Sequence, residues 1–214
     1  MTASLDDVAF VVETMARTAV ENEGYFGELD AVVGDGDFGY SMARGFEVVL
    51  DSVDDMDRSN VGNLLKAVAM MITGRMGGTS GPIWGTAFLR ASVVARDKTS
   101  LETDDVIAML RAAIEGIKQR GKAEMGDKTL LDALVPAVDR LEELLGKGAG
   151  SADALREAAS VAQSSADSTR EMLAKKGRAS YSGERSIGTL DAGAVAVAVM
   201  FNEVASKWTT RTTR

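Results

Sequence analysis

The chain has 214 residues, of which 32 are Asp or Glu and 24 are Lys or Arg, so its net charge is −8 and its pI is near 4.7. This length fits one domain whose core needs no disulfide or structural metal. The acidic balance argues against nucleic-acid and membrane-surface partners, which attract basic faces. The chain has neither cysteine nor histidine, which excludes thiolate catalysis, thiolate zinc sites, a Ser-His-Asp triad and a phosphohistidine on this chain. Any metal would lie among oxygen ligands, as magnesium does.

No part of the sequence has the pattern of a targeting signal or a membrane span. The first seven residues include two aspartates, whereas a secretory signal begins basic and continues apolar. The longest apolar stretch, 192–201, is about half of the roughly 20 residues that a spanning helix needs. We therefore expect a soluble cytoplasmic protein.

Apolar residues recur at helical spacing through most of the chain and predict eight helices. In chain order, these helices cover approximately residues 8–19, 40–50, 61–72, 80–93, 103–121, 129–145, 152–175 and 192–208. Together they predict one all-α domain that spans residues 1–214.

Several residues set the expected ends and bends of these helices. Pro82 suits the first turn of the fourth helix, and Thr103 is predicted to be the N-cap of the fifth because two aspartates follow it. Pro136 predicts a kink in the sixth helix. The alternation of alanine and valine over 194–199 also fits a buried strand, but the length and neighbours of this segment favour a helix.

Three carboxylates distinguish the first glycine-rich loop, 30–39. Asp30, Asp35 and Asp37 lie within eight residues, and such carboxylates repel one another unless a positive charge lies between them. The intervening glycines allow the backbone to turn sharply enough for the last two to converge. An acidic solvent-exposed turn is the plain alternative.

Two more specific interpretations of this loop fail. The segment 34–39 has the glycine spacing of a dinucleotide fingerprint, but its two aspartates would repel a pyrophosphate and no βαβ pattern follows. An EF-hand loop counted from Asp35 needs acids at its fifth and twelfth positions, where the chain has Gly39 and Phe46. A third interpretation stays open, in which the three aspartates hold divalent cations that bridge to a phosphate.

Three further segments have unusual chemistry. The segment 77–82, Gly-Gly-Thr-Ser-Gly-Pro, suits either an anion site or a well-capped helix start. The segment 120–129 resembles a Walker A motif, but it has one residue too many and no preceding strand, so we exclude a P-loop. The segment 175–193 is long, basic at its start and rich in glycine, which is typical of a functional loop or a disordered one.

Together these segments resemble the nucleotide-binding L subunit of dihydroxyacetone kinase and the equivalent C-terminal domain of the single-chain ATP-dependent kinases. The matching pieces, in order over nearly the whole chain, are 34–39, 77–85, 120–124, 126–132 and 176–193. The combination of Gly-Asp-Lys-Thr with Lys-Gly-Arg-Ala-Ser-Tyr and Gly-Glu-Arg-Ser-Ile-Gly is highly specific.

The resemblance implies an all-α, single-domain barrel of eight antiparallel amphipathic helices with the nucleotide in the loops at one end. It implies that Asp30, Asp35 and Asp37 hold two Mg²⁺ ions that bind the phosphates of ADP or ATP. Arg178 is the implied catalytic residue. The implied nucleotide contacts are Phe38, Gly39, Tyr40, Ser41, Thr79, Ser80, Gly121, Leu130, Arg178, Asp191, Ala192 and Gly193.

Two positions depart from the pattern of the family. Phe38 stands where the family commonly has histidine, and Ala192 stands where many relatives have the proline of Asp-Pro-Gly. Neither position is one of the implied metal ligands. Both bear on the strength of nucleotide binding.

In function, the resemblance implies a kinase subunit that presents Mg-ATP, or ADP rephosphorylated in place, to a small ketose. A separate K subunit holds that ketose covalently through a histidine, which this chain lacks, so the chain alone should be inactive on the ketose. A phosphocarrier M subunit is a further partner if a phosphoenolpyruvate-driven phosphoprotein is the donor. The alternative is a non-catalytic, nucleotide-sensing module of the same fold, for which Phe38 would mark lost catalysis.

Overall fold

The computed structural model describes residues 2–212, and helices make up most of them, as the apolar spacing predicts. In chain order, the elements are β1 (Thr2–Ser4), α1 (Leu5–Glu21), α2 (Glu23–Ala31), α3 (Phe38–Ser52), α4 (Val61–Arg75), α5 (Ser80–Val94), β2 (Ser100–Glu102), α6 (Thr103–Gly121), α7 (Leu131–Gly146), α8 (Ser151–Ser168) and α9 (Ala192–Thr212), with 3-10 turns at Thr169–Glu171 and Arg178–Ser186. None of the helices in this part of the chain combines the length and the hydropathy of a membrane span.

The chain forms two compact units. The first consists of Met1–Glu21 and Ser41–Lys122, and the second consists of Asn22–Tyr40 and Ala123–Arg214. The single domain over residues 1–214 stays a prediction.

In the first unit, α5 packs against both α4 and α6. The buried Phe46 ring of α3 meets Trp84 and Phe88 of α5 nearly edge-on, with ring centroids 6.2 and 6.4 Å apart, an arrangement that aromatic pairs favour. The prediction that Thr103 caps α6 is wrong by one residue. Glu102 is the N-cap, and its backbone N–H donates to the Asp105 carboxylate at 3.0 Å in a reciprocal capping box.

In the second unit, α8 packs between α7 and α9, and α2 contacts α9. Buried alanines recur at every fourth position of α8: Ala154, Ala158, Ala162 and Ala166. Such a row of small side chains lets neighbouring helices approach closely. Pro136 lies inside α7, and the kink expected there stays a prediction.

Four local features differ from the sequence-based expectation. Helix α2 was not predicted, because Phe26 is its buried side chain and one position makes no periodic stripe. The seventh predicted helix ends at Ser168 rather than Lys175, where a 3-10 turn follows. The segment 175–193 is not a structureless loop, since it contains the 3-10 turns Arg178–Ser186. Strands β1 and β2, which pair antiparallel, had no sequence signal at three residues each.

Candidate functional site

The acidic loop, residues 30–37, lies in the second unit between α2 and α3. Asp30 belongs to the last turn of α2, and its Oδ2 accepts a hydrogen bond from the Gly36 backbone N–H at 2.8 Å. Gly34 donates to the Asp30 carbonyl at 2.6 Å. Gly36 has φ 76°, a left-handed conformation that favours glycine. The loop therefore folds back onto the end of α2.

This fold brings three carboxylates together. Asp30, Asp35 and Asp37 each offer a carboxylate oxygen, and these oxygens lie within 4.8 Å of one another. Burial and the nearby Asp35 carboxylate raise the pKa of Asp37, which the Arg178 guanidinium opposes. Mutual repulsion of this kind is relieved by a cation. Three converging carboxylates are the hard oxygen ligands that Mg²⁺ prefers, so the donor set fits that ion.

A second segment of the chain reaches this cluster. Arg178, at the start of the 3-10 turns, places its Nη1 2.7 Å from the Asp35 Oδ2. Four residues further on, the Ser182 hydroxyl donates to the Val33 carbonyl at 3.1 Å. Arg178, predicted to be catalytic, therefore lies beside the residues predicted to bind metal.

The start of α9 gathers further predicted contact residues. Gly193 lies so close to Leu130 that an added Cβ would sit 3.3 Å from the Leu130 Cβ. Asp191 caps the helix, since its Oδ1 accepts from the Ala194 N–H at 2.7 Å. Burial raises the pKa of Asp191 to about 7, while the Ala194 N–H opposes the shift. Ala192 is the first residue of α9.

The first turn of α3 carries Phe38, Gly39 and Tyr40. The Phe38 ring centroid is 6.1 Å from that of Phe26 in α2. A Cβ added to Gly39 would meet backbone atoms of α2, including the Glu23 carbonyl oxygen and, at 2.5 Å, the Gly27 nitrogen. Gly39 is therefore required for packing, whatever else it contacts. Tyr40 is exposed.

The remaining predicted contacts belong to the first unit. Ser41 is buried, and its Oγ would lie 3.1 Å from a Cβ added at Gly77, so it borders the loop that precedes α5. Of the two residues that could cap this helix from the sequence, Ser80 or Thr79, Thr79 takes the N-cap position, but its side chain makes no capping hydrogen bond. Ser80 follows as the first helical residue. Gly121 ends α6.

Two residues of the segment 126–132 were missed by sequence reasoning. Asp132 is buried and accepts backbone hydrogen bonds from Gly126 at 2.5 Å and Thr129 at 2.7 Å. Lys128 is 2% exposed and donates from Nζ to backbone carbonyls. The sequence signal for these residues was the Walker-like pattern of 120–129. Its exclusion as a P-loop agrees with the structure, in which the Lys128 ammonium donates to backbone carbonyls.

Comparison with known proteins identifies the family. The DAK2 domain family matches residues 32–206. The chain is 41% identical over 181 residues to the ADP-binding subunit DhaL of the PEP-dependent dihydroxyacetone kinase of Escherichia coli (strain K12), covering 85% of this chain and 86% of that subunit. It is 40% identical, with the same coverage, to the ADP-binding subunit DhaL of the PTS-dependent dihydroxyacetone kinase of Lactococcus lactis subsp. lactis (strain IL1403).

A solved structure agrees with this assignment. The dihydroxyacetone kinase from C. freundii in complex with AMP-PNP and Mg²⁺ matches with a TM-score of 0.76 at 27% identity. The match covers 94% of this chain and 33% of that kinase, so the chain spans about a third of the solved protein. On the sequence match and on the fold, the chain belongs to the DAK2 domain family, in which it is similar to the ADP-binding DhaL subunits of dihydroxyacetone kinases.

Proposed function

We propose that the chain is the nucleotide-binding phosphotransferase subunit of a dihydroxyacetone-type kinase. It presents Mg-ATP, or ADP rephosphorylated in place, to a small ketose held covalently by a separate K subunit. The observation that carries this proposal is the cluster of Asp30, Asp35 and Asp37 with Arg178 beside it. The eight-helix antiparallel barrel over one domain and the cytoplasmic location belong to the same proposal.

The relatives support a nucleotide role. Both DhaL relatives are named as ADP-binding subunits of dihydroxyacetone kinases, one PEP-dependent and one PTS-dependent. The solved kinase was crystallised with AMP-PNP and Mg²⁺. These names favour ADP that stays bound and is rephosphorylated by a phosphoprotein, with a phosphocarrier M subunit as the second partner.

The three aspartates would hold the metal, which we propose to be two Mg²⁺ ions. Bound there, magnesium supplies positive charge that neutralises the phosphate oxygens during transfer. Asp30 is already oriented by the Gly36 N–H, and Asp35 and Asp37 are exposed, so a polyphosphate has access to them. The pKa of Asp37 is raised first by burial and then by the Asp35 carboxylate, and a cation would offset that carboxylate repulsion.

Arg178 would bind the phosphoryl group directly. Its side chain is 65% exposed although it pairs with Asp35, so the guanidinium can exchange one anionic partner for another at modest cost. Guanidinium donors match phosphate oxygens and stabilise charge that develops on them. The further proposed nucleotide contacts are Phe38, Gly39, Tyr40, Ser41, Thr79, Ser80, Gly121, Leu130, Asp191, Ala192 and Gly193.

Titration calorimetry of the chain with ADP, with and without magnesium, tests the proposal. Asp35→Asn should weaken Mg-ADP binding at least about tenfold, because a charged contact of this kind is worth about 1.5–3 kcal/mol. The matched control is Asp54→Asn, which removes the same charge from an exposed aspartate of the first unit. Equal affinity for Asp35→Asn and wild type would remove the metal cluster from the proposal.

A coupled assay separates the kinase subunit from the alternative, a non-catalytic nucleotide-sensing module. The purified chain should not phosphorylate dihydroxyacetone alone, because it has no histidine to hold a ketose covalently. Activity should appear when a K subunit is added together with a phosphodonor, either Mg-ATP or a phosphorylated M subunit. Mg-ADP binding without activity in that mixture would favour the sensing module.

A further inference from the structure

Lys128 is a charged residue inside the second unit. Its side chain is 2% exposed, and its backbone has φ 61°, a left-handed conformation that is uncommon for a residue other than glycine. Burial lowers the pKa of its ammonium, which the negative charge of Asp191 opposes. Burying a charge is costly unless its hydrogen bonds are replaced, so the partners of this ammonium explain why it is tolerated.

Those partners are backbone carbonyls from the two ends of one segment. At the start of the segment 172–189, the Lys128 Nζ donates to the Met172 carbonyl at 3.2 Å. Near its end, the same Nζ donates to the Ser186 carbonyl and, at 2.8 Å, to the Thr189 carbonyl. An ammonium has three N–H donors, and these carbonyls can accept all three. One side chain therefore joins both ends of the segment 172–189.

Additional hydrogen bonds connect the same two ends. The Gly188 N–H donates to the Arg170 carbonyl at 2.8 Å, and the Arg170 side chain donates to the Gly188 carbonyl at 2.9 Å. The Ala174 N–H donates to the Ser186 Oγ at 3.0 Å. The segment is thus a closed loop whose two ends meet at Lys128, and it includes Arg178, which pairs with Asp35.

We infer that Lys128 is a positioning residue, which holds the two ends of the segment 172–189 together and thereby sets the position of Arg178 for the nucleotide phosphates. This inference rests on the proposed function. It deepens that proposal, because it assigns the geometry of the phosphate-binding arginine to a buried lysine whose ammonium donates to backbone carbonyls.

The first test is Lys128→Met, which keeps the length and apolar stem of the side chain but removes the three donors. Without nucleotide, backbone amides of 173–189 should exchange hydrogen at least about tenfold faster than in wild type. Mg-ADP should bind at least about tenfold more weakly. The matched control is Lys122→Met, since Lys122 also has a left-handed φ, of 48°, but is exposed; it should leave both quantities unchanged.

A double-mutant cycle distinguishes positioning from general stability. If Lys128 acts through Arg178, then Arg178→Ala should weaken Mg-ADP binding in the wild-type background but by less than about twofold in Lys128→Met. A structural role alone would leave the two effects multiplicative.

Chemical rescue restores the ammonium alone. The chain has no cysteine, so Lys128→Cys carries a unique thiol that can be alkylated in the unfolded state before refolding. Aminoethylation should return Mg-ADP affinity to within about threefold of wild type, whereas S-propylation, which has the same length without charge, should not.

The results divide cleanly between the two proposals. A wild-type chain that does not bind Mg-ADP overturns the proposed function. Equal exchange of 173–189 in Lys128→Met and wild type overturns the inference even if nucleotide binds, as do multiplicative effects in the cycle. Loss of the helical circular dichroism in Lys128→Met also overturns it, because Lys128 would then hold the whole unit rather than one segment.

Discussion

Two loops of the second unit both contain glycine and aspartate, but the charged side chains of the two loops have different partners. In the acidic loop, 30–37, three carboxylates face one another, and two of them are exposed. The other loop, 126–132, is called the buried loop because the charged side chains of Lys128 and Asp132 are buried. There Asp132 accepts hydrogen bonds from two backbone N–H groups, and Lys128 donates to backbone carbonyls. Both loops contain glycine and aspartate, but only the second contains a lysine, and their carboxylates have different partners.

The comparison teaches that a charge contributes to structure when its partners are part of the chain. The buried loop has matched donors and acceptors, so its charges stabilise the native conformation. The acidic loop has an excess of one sign, so its carboxylates gain when a cation arrives from solution. The predictions below test this division.

The largest effect on stability should come from Asp132→Ala. The substitution leaves the Gly126 and Thr129 N–H groups without their buried acceptor, which should lower the free energy of unfolding by about 2–3 kcal/mol. Urea unfolding followed by circular dichroism measures this loss. The control Asp153→Ala removes an exposed acid from the first turn of α8 and should cost less than about 1 kcal/mol. Similar losses for both would break the comparison.

An intermediate effect, dependent on pH, should come from Asp191→Asn. The folded protein keeps the Asp191 proton up to a pKa of about 7, whereas the unfolded chain loses it near the ordinary value of 3.8. The folded state therefore binds more protons in this window, so the contribution of Asp191 to the free energy of unfolding falls as pH rises from about 4 to 7. The Asn variant stays neutral and can still accept from the Ala194 N–H.

Unfolding free energies of both proteins between pH 4.5 and 8 test this expectation. Relative to Asp191→Asn, the wild type should lose more than about 1 kcal/mol over that range, because one pKa unit corresponds to about 1.4 kcal/mol. Parallel pH profiles would mean that Asp191 ionises normally.

The smallest effect should come from Lys175→Met. Lys175 also contacts the buried loop, through the Gly126 carbonyl at 2.9 Å and Asp127 at 3.6 Å, but its side chain is 55% exposed. Exposed contacts of this kind contribute at most about 1 kcal/mol, so the free energy of unfolding should change by about 0.5 kcal/mol or less. A loss as large as that of Asp132→Ala would show that exposure does not separate the two classes of charge.

The sequence predicts local features of this protein better than distant ones. Periodic apolar residues located most of the helices, and the aspartates of the acidic loop were identified because they lie within eight residues. Helix α2 was not predicted, because its buried side chain, Phe26, makes no periodic pattern by itself. The role of Lys128 could not be read from the sequence, because its carbonyl partners lie 44, 58 and 61 residues away.

The close approach at Gly39 has a consequence for which ions suit the acidic loop. Gly39 contacts the backbone of α2, and Asp30 belongs to the last turn of that helix, so the loop is anchored at both of its ends. A loop with fixed ends adapts to the radius of an ion by rotating its carboxylates rather than by widening its backbone. Small ions with few protein ligands suit such a site better than large ions that need six to eight oxygens. If the three aspartates bind a metal as proposed, the close packing of Gly39 against α2 would then favour Mg²⁺ over Ca²⁺.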